Sequence, residues 1–134
     1  LNSLDECIKV IEAAVSDHSG TAFFDPDIST SKGHIAEAGQ LEVRLVCLDD
    51  LVRDGRIPLP DVMKIDVEGA EAEVLGGAMH ILRTRHPLLY LDTHQREAHE
   101  QTVAILADLG YTITCLDGLP LPESKELIAS YDPA

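Results

Sequence analysis

Hydrophobic positions in the second half of the chain switch between strand-like runs and helical stripes. Apolar residues recur at helical spacing over about 70–85 and 97–109, and short β-type runs flank both stretches. The predicted elements are, in order, strand 62–66, helix 70–85, strand 88–91, helix 97–109, strand 111–116 and strand 127–131. Strands that alternate with helices indicate a parallel sheet, which here ends with an antiparallel edge strand.

The first half has a weaker pattern. Residues 8–15 are compatible with a strand by residue type and with a helix by spacing, because Ile8, Ile11 and Val15 also share one helical face. Short strands are predicted at 21–24 and 41–48, and a helical turn follows with Asp49 as its cap. Residues 27–39 are polar and aperiodic, which is typical of a loop.

The most informative stretch connects the strand that ends at Asp66 to the helix after it. The chain turns at Gly69, so Asp66, Glu68 and Glu71 cluster beyond the carboxyl end of a strand, where open α/β sheets bind ligands. Carboxylates in that place can hold a cation, accept protons or bind ligand hydroxyls. The alternative is that Glu68, Glu71 and Glu73 only complement the positive end of a helix.

Two adjacent glycines, Gly76 and Gly77, lie inside the predicted helix. A glycine within a helix costs roughly 1 kcal/mol relative to alanine. We therefore expect these positions to pack closely against a neighbouring backbone.

Four segments together resemble the FkbM-type methyltransferases, which are S-adenosylmethionine-dependent enzymes of the Rossmann-like class. The segments are Ala14–Asp17 with Gly20, Val46–Leu51, Lys64–Glu71 with Val74–Ala78, and Pro87–His94. The resemblance favours a strand at 8–15. It also implies a Rossmann-like class I methyltransferase sheet, mostly parallel with an antiparallel edge strand, in which residues 1–134 form a single α/β domain.

One part of the family pattern has no counterpart. The first strand, its Gly-rich loop and the acidic residue that ends the second strand are missing, so the resemblance implies an N-terminally truncated, C-terminal portion of the domain. In the usual strand order the strand at 62–66 would lose its neighbour, and a bare apolar edge is an aggregation liability. We expect another strand to close this edge, or a second copy of the chain to form a homodimer through it.

The resemblance also implies the site residues. The expected cofactor is S-adenosylmethionine, with Ser16, Asp17 and Asp66 as cofactor-binding residues and Asp66, Glu68 and His94 as catalytic residues. Transfer of a methyl group to a hydroxyl requires alignment of the acceptor and removal of its proton. His94 suits the role of general base or substrate ligand, because the unperturbed pKa of histidine lies near neutrality. The expected acceptor is a hydroxyl of a sugar or other small metabolite.

Other interpretations of these residues remain open. His94 can be a solvent-facing loop histidine, and Ser16 and Asp17 can form an ordinary turn. We expect no metal, although Asp66, Asp92 and His94 offer ligands for a divalent cation, and a metal-dependent hydrolase on these residues and Glu68 is a minor alternative. Asp92 stands where the family often has Glu. A cofactor-free α/β binding or assembly module derived from such an enzyme is the main alternative function.

The length, net charge and cysteine pattern limit the functions and partners that the chain can have. A length of 134 residues is enough for one domain with a real core. The formal net charge of -14 argues against nucleic acids and anionic membranes as partners. Cys7, Cys47 and Cys115 are isolated and lie in apolar stretches, which predicts reduced, buried thiols in a cytoplasmic protein.

Overall fold

The computed structural model describes residues 7–24, 35–36 and 41–133, which form a mixed α/β fold with two four-stranded sheets. The strands are β1 (Ala14–Val15), β2 (Gly20–Phe24), β3 (Ile35–Ala36), β4 (Leu41–Val46), β5 (Val62–Asp66), β6 (Leu88–Asp92), β7 (Thr112–Cys115) and β8 (Glu126–Ser130). The helices are α1 (Leu48–Arg53), α2 (Glu71–Gly76), α3 (Met79–Thr84) and α4 (Arg96–Asp108). Most of the predicted loop at 27–39 lies outside the described residues.

The first sheet has the strand order β1-β4-β2-β3. Strand β1 pairs in parallel with β4, and β2 pairs antiparallel with β3 and β4. The strand predicted at 8–15 is reduced to Ala14–Val15, and Ile35–Ala36 forms a strand inside the predicted loop. Both differences arise because short strands exist only through their partners, β4 and β2, which local sequence does not reveal.

The second sheet has the order β5-β6-β8-β7. Strands β5 and β6 are parallel, whereas β8 is antiparallel to both of its neighbours. The expected single, mostly parallel sheet with an antiparallel edge strand therefore differs from the structure. The first-half strands form their own sheet, and the antiparallel strand lies inside the second one. The order arises because β8 pairs with both β6 and β7 and so inserts between them.

The main core lies between the second sheet and helices α2, α3 and α4. Its fully buried members include Leu75, Ile81, Leu82, Leu89, Leu91, Leu106 and Leu127. In β6, Tyr90 is 37% exposed, whereas its neighbours Leu89 and Leu91 are buried. No helix in the described part of the chain is long and apolar enough to cross a membrane.

The three thiols differ in their environments. Cys47 is buried as predicted, and its Sγ lies 3.1 Å from the carbonyl oxygen of Gly77. Cys115 is half-buried, and Cys7 is exposed, so the prediction of three buried thiols is wrong for Cys7. Residues 8–12, which follow Cys7, form no strand, which explains the difference.

The predicted helix at 70–85 is two helices with a break at Gly77 and Ala78. A Cβ atom at Gly77 would overlap the backbone carbonyl oxygen of Ser16, which confirms the expected close approach to a neighbouring backbone. The Gly77 carbonyl oxygen also accepts a hydrogen bond from the Asp49 backbone N–H at 2.8 Å. Gly77 thus joins the helical break to the segments after β1 and β4.

Asp49 caps a helix other than the one predicted. Helix α1 begins at Leu48, after the N-cap residue Cys47, and makes no side-chain cap hydrogen bond. The Asp49 carboxylate instead accepts hydrogen bonds from the backbone N–H groups of His80 at 2.7 Å and Ile81 at 3.0 Å. These are free donors of the first turn of α3, so Asp49 fixes the start of that helix.

We expect Gly77→Ala to destabilise the fold by about 1–3 kcal/mol, because the new methyl group must displace backbone rather than a mobile side chain. Gly76→Ala is the matched control. Its Cβ would lie 3.4 Å from the Cβ of Asp17, an ordinary contact. Since alanine favours a helix by up to about 1 kcal/mol over glycine, the control is expected to be neutral or stabilising. Urea denaturation measures both variants, and equal effects would contradict the packing account.

Candidate active site

The candidate site lies at the carboxyl ends of the parallel strands β5 and β6. Asp66 and Asp92 are register partners at these ends, and the chain continues from Asp92 through Thr93 to His94. Beyond Asp66 the chain turns at Gly69, where φ is +94°. A Cβ at this glycine would overlap the Gln95 side chain, so the absence of a side chain lets Gln95 cover the turn.

Four ionisable side chains meet at this strand end. His94 Nε2 lies 3.6 Å from Asp66 Oδ1 and 3.9 Å from Glu68 Oε1, while His94 Nδ1 lies 3.2 Å from Glu71 Oε1. The three residues predicted as catalytic from the sequence are therefore neighbours in the structure. Their roles stay predictions, because proximity alone does not assign chemistry.

Burial separates the members of this cluster. The Asp66 and Glu68 side chains are 56% and 58% exposed, that of His94 is 32% exposed, and that of Glu71 is fully buried. Charges on Asp66 and Glu68 are screened by water, whereas a charge on Glu71 acts through protein. The hydrogen bond to Glu71 is accordingly the main cause that raises the pKa of His94. Partial burial opposes the increase, and the charges of Glu68, Glu71 and Asp66 add to it.

Asp92 belongs to a different interaction. Its carboxylate pairs with the ammonium group of Lys64, which also lies 4.0 Å from Asp66 Oδ2. Lys64 thus neutralises part of the acidic strand end on the side away from His94. Within residues 7–24, 35–36 and 41–133, no group of three or more His, Cys, Asp or Glu side chains is arranged to hold a metal ion.

The predicted cofactor residues Ser16 and Asp17 make their hydrogen bonds with residues outside the His94 cluster. Ser16 is buried, its backbone N–H donates to the Val46 carbonyl oxygen at 2.9 Å, and its hydroxyl donates to Asp17 at 3.2 Å. Asp17 is exposed and pairs with His18 at 2.5 Å, and this hydrogen bond is the main cause that lowers its pKa. The contacts of both residues are those of a turn packed against the helical break.

A cleft of about 390 Å³ runs along the outer edge of β5. Its walls are mostly apolar and include Val15, Leu48, Met63, Ile65 and Val74, and Asp66 lines it as well. Within the described residues, β5 forms strand hydrogen bonds only with β6. The cleft therefore lies against a free strand edge and reaches Asp66, with Val15, the neighbour of Ser16, on its wall.

Glu71 is the member of the cluster that the sequence reasoning did not include among the site residues. The sequence placed it in the carboxylate cluster with Asp66 and Glu68, with a role that only complements the positive end of the helix as the alternative. A glutamate directly after the Gly69 turn was the available signal, because such a turn brings the helix start back toward the neighbouring strand end. The structure shows that its carboxylate points inward and contacts His94.

Comparison with known proteins identifies relatives that share one activity. Residues 1–113 match the family described as "Methyltransferase FkbM domain". The hexuronic acid methyltransferase AglP of Haloferax volcanii is 35% identical over 72 residues, which cover 52% of this chain and 30% of AglP. The 2-O-methyltransferase NoeI of Sinorhizobium fredii is 28% identical over 144 residues, which cover 92% of this chain and 55% of NoeI.

The chain spans less than two thirds of the length of either relative. No solved structure matches it.

We expect the stability contributed by His94 to depend on pH. The folded state raises the pKa of His94, so folded protein holds this proton more tightly than unfolded protein. The advantage of the wild type over His94→Gln should be complete below about pH 6.5 and should decline as the pH rises through the folded-state pKa.

Urea denaturation at about pH 5.5 and about pH 8.5 measures this difference. His80→Gln, at an exposed position on α3, is the control. If the stability advantage of the wild type over His94→Gln grows with pH, the result would contradict the assigned interaction between His94 and Glu71.

Proposed function

We propose that this chain, which belongs to the FkbM methyltransferase family, carries the proton-accepting part of an S-adenosylmethionine-dependent O-methyltransferase. The observation that supports this most is the convergence of His94 on Asp66 and Glu68 at adjacent parallel strand ends. We propose a sugar hydroxyl, or that of another small metabolite, as the methyl acceptor. The names of the two relatives, which concern a hexuronic acid and a 2-O position, support this choice.

In this proposal, His94 Nε2 is the proton acceptor. When bound, S-adenosylmethionine would supply a methyl group on a sulfonium, with the carbon–sulfur electron pair leaving on sulfur, and His94 would receive the proton of the acceptor hydroxyl. Nε2 is suited to the task because the nearest carboxylate oxygens, at 3.6 Å and 3.9 Å, lie beyond an ordinary hydrogen bond. Asp66 and Glu68 then orient the acceptor through its hydroxyls and stabilise the protonated imidazole.

The cleft beside β5 supports cofactor binding in part. Its apolar walls suit an adenine ring, and Asp66 lines it as an acceptor for hydroxyl or amine groups. Ser16 and Asp17 fit less well, because their polar groups bond within their own turn and to Val46 and His18. We therefore assign Asp66 the stronger cofactor contact and propose Ser16 and Asp17 as weaker contacts, because they follow the cleft residue Val15 in the chain.

We further propose that the chain is the C-terminal portion of a longer methyltransferase domain. In doubly wound sheets of order 3-2-1-4-5-6 the first strand lies beside the fourth, and ligands bind at that switch point. Strands β5 and β6 correspond to the fourth and fifth strands, so the free edge of β5 is the place for a first strand with its Gly-rich loop. The partial coverage of both relatives supports this assignment. The alternative is that two copies of the chain pair through β5.

We also propose a cytoplasmic location.

Isothermal titration with S-adenosylhomocysteine tests the proposal on this chain and on the same chain with upstream residues of its gene. We expect binding by the longer protein, and Asp66→Asn should weaken it by about tenfold or more, since a charge-assisted hydrogen bond contributes about 1.5–3 kcal/mol. Asp61→Asn is the matched control at the other end of β5.

Absence of binding by both proteins would favour the alternative, a cofactor-free binding or assembly module. Sedimentation of the same samples examines the β5 edge. If the short chain associates and the longer protein does not, the result would support closure of the β5 edge by the added segment. A monomeric short chain would count against pairing through β5.

A further inference from the structure

Glu71 carries a carboxylate in a place where a charge is expensive. Its side chain has no exposed surface, and its Oε2 atom has no hydrogen-bond partner within the described residues. A buried carboxylate is tolerated when an opposite charge and hydrogen bonds compensate for lost hydration. The compensation here is concentrated on the other oxygen, Oε1, which accepts from the Gly69 N–H at 3.2 Å and lies 3.2 Å from His94 Nδ1.

The surroundings hold this contact in one geometry. Glu71 is the first residue of α2, Gly69 has the positive φ of the turn before it, and Gln95 covers that turn. The backbone next to His94 is held as well, because Thr93 N–H donates to the Lys125 carbonyl oxygen at 2.9 Å. The backbone beside each partner is therefore held by other parts of the fold.

We propose that Glu71 is a positioning residue for His94. By accepting a hydrogen bond from Nδ1–H, its buried carboxylate fixes the imidazole tautomer and leaves Nε2 unprotonated toward Asp66 and Glu68. This inference rests on the proposed function, in which Nε2 receives the proton of the acceptor hydroxyl. Glu71 then stabilises the imidazolium that forms, as a buried carboxylate does for the histidine of a catalytic triad.

The charges around His94 agree with this division of roles. Asp66 from β5 and Glu68 from the turn face Nε2 and are more than half exposed, whereas Glu71 from α2 faces Nδ1 and is buried. His94 also lines a second pocket of about 160 Å³, together with Arg96, His99, Glu123 and Lys125. Arg96 is paired with Glu100 at 2.8 Å, and His99 is held between Thr93 and the Leu121 carbonyl oxygen. Glu71 is therefore the carboxylate that controls one nitrogen of His94 without screening by water.

Nuclear magnetic resonance of the histidine side chains tests the proposal directly in this chain, without cofactor. Glu71→Gln keeps the shape of the side chain and removes its charge, so we expect the titration midpoint of His94 to move to lower pH. Glu73→Gln is the matched control, since Glu73 is an exposed glutamate in the same first turn. His94→Gln assigns the signals. If Glu71→Gln and Glu73→Gln move the titration midpoint of His94 equally, the proposal is overturned.

A second measurement uses the wild-type chain, so its result does not depend on whether a variant folds. Above the titration midpoint, the ¹⁵N shifts of wild-type His94 should report a proton on Nδ1 and none on Nε2. The opposite tautomer would mean that Glu71 donates to Nδ1 and would overturn the proposal.

In the longer protein, Glu71→Gln should lower the rate of methyl transfer and shift the acidic limb of its pH profile to lower pH, with unchanged affinity for S-adenosylhomocysteine. A lower rate with an unmoved limb would indicate a structural role only. Failure of the longer protein to bind the cofactor product would count against the proposed function and leave the histidine titration as an independent result.

Discussion

The hydrogen bond between the buried Glu71 carboxylate and His94 is the interaction on which the candidate site depends. It joins the helix that follows β5 to the segment that follows β6. The charged side chains at the two strand ends therefore form a single cluster. Because Glu71 is fully buried and His94 is one third exposed, the pair has one side in protein and one side in solvent. This asymmetry gives the two imidazole nitrogens different environments, which a proton-transfer group requires.

Backbone packing at the other end of α2 connects this helix to the rest of the fold. Gly77 lets the break between α2 and α3 approach the backbone after β1, and Asp49 fixes the start of α3. These contacts connect the first sheet to the helices that cover the second. They also place Val15 and Asp66 on the same cleft. A cofactor site that uses this cleft would thus depend on both sheets and on the closure of the β5 edge.

Sequence reasoning succeeded where local periodicity and turn chemistry decide the outcome. The strand Val62–Asp66, the turn at Gly69 and the helix Arg96–Asp108 agree closely with their predictions, and so does the close approach to a neighbouring backbone at Gly77. It failed where a distant partner decides the outcome. The strand Ile35–Ala36 requires β2, and the antiparallel insertion of β8 requires β6.

The same distinction applies to the site. Asp66, Glu68 and His94 were found because parallel strand ends bring their residues together. The inward orientation of Glu71, the pairing of Asp92 with Lys64, and the self-contained turn of Ser16 and Asp17 depend on side-chain packing. Residue spacing carries no information on which way a carboxylate points, so these features required the structure.

The most direct test of the central claim is the rate of methyl transfer in the longer protein with His94→Gln. If His94 accepts the hydroxyl proton, the rate should fall by about 10²–10⁴-fold, the usual contribution of a general base, while the affinity for S-adenosylhomocysteine stays unchanged. A rate within about twofold of the wild type would contradict the account, because the transition state would then owe nothing to His94.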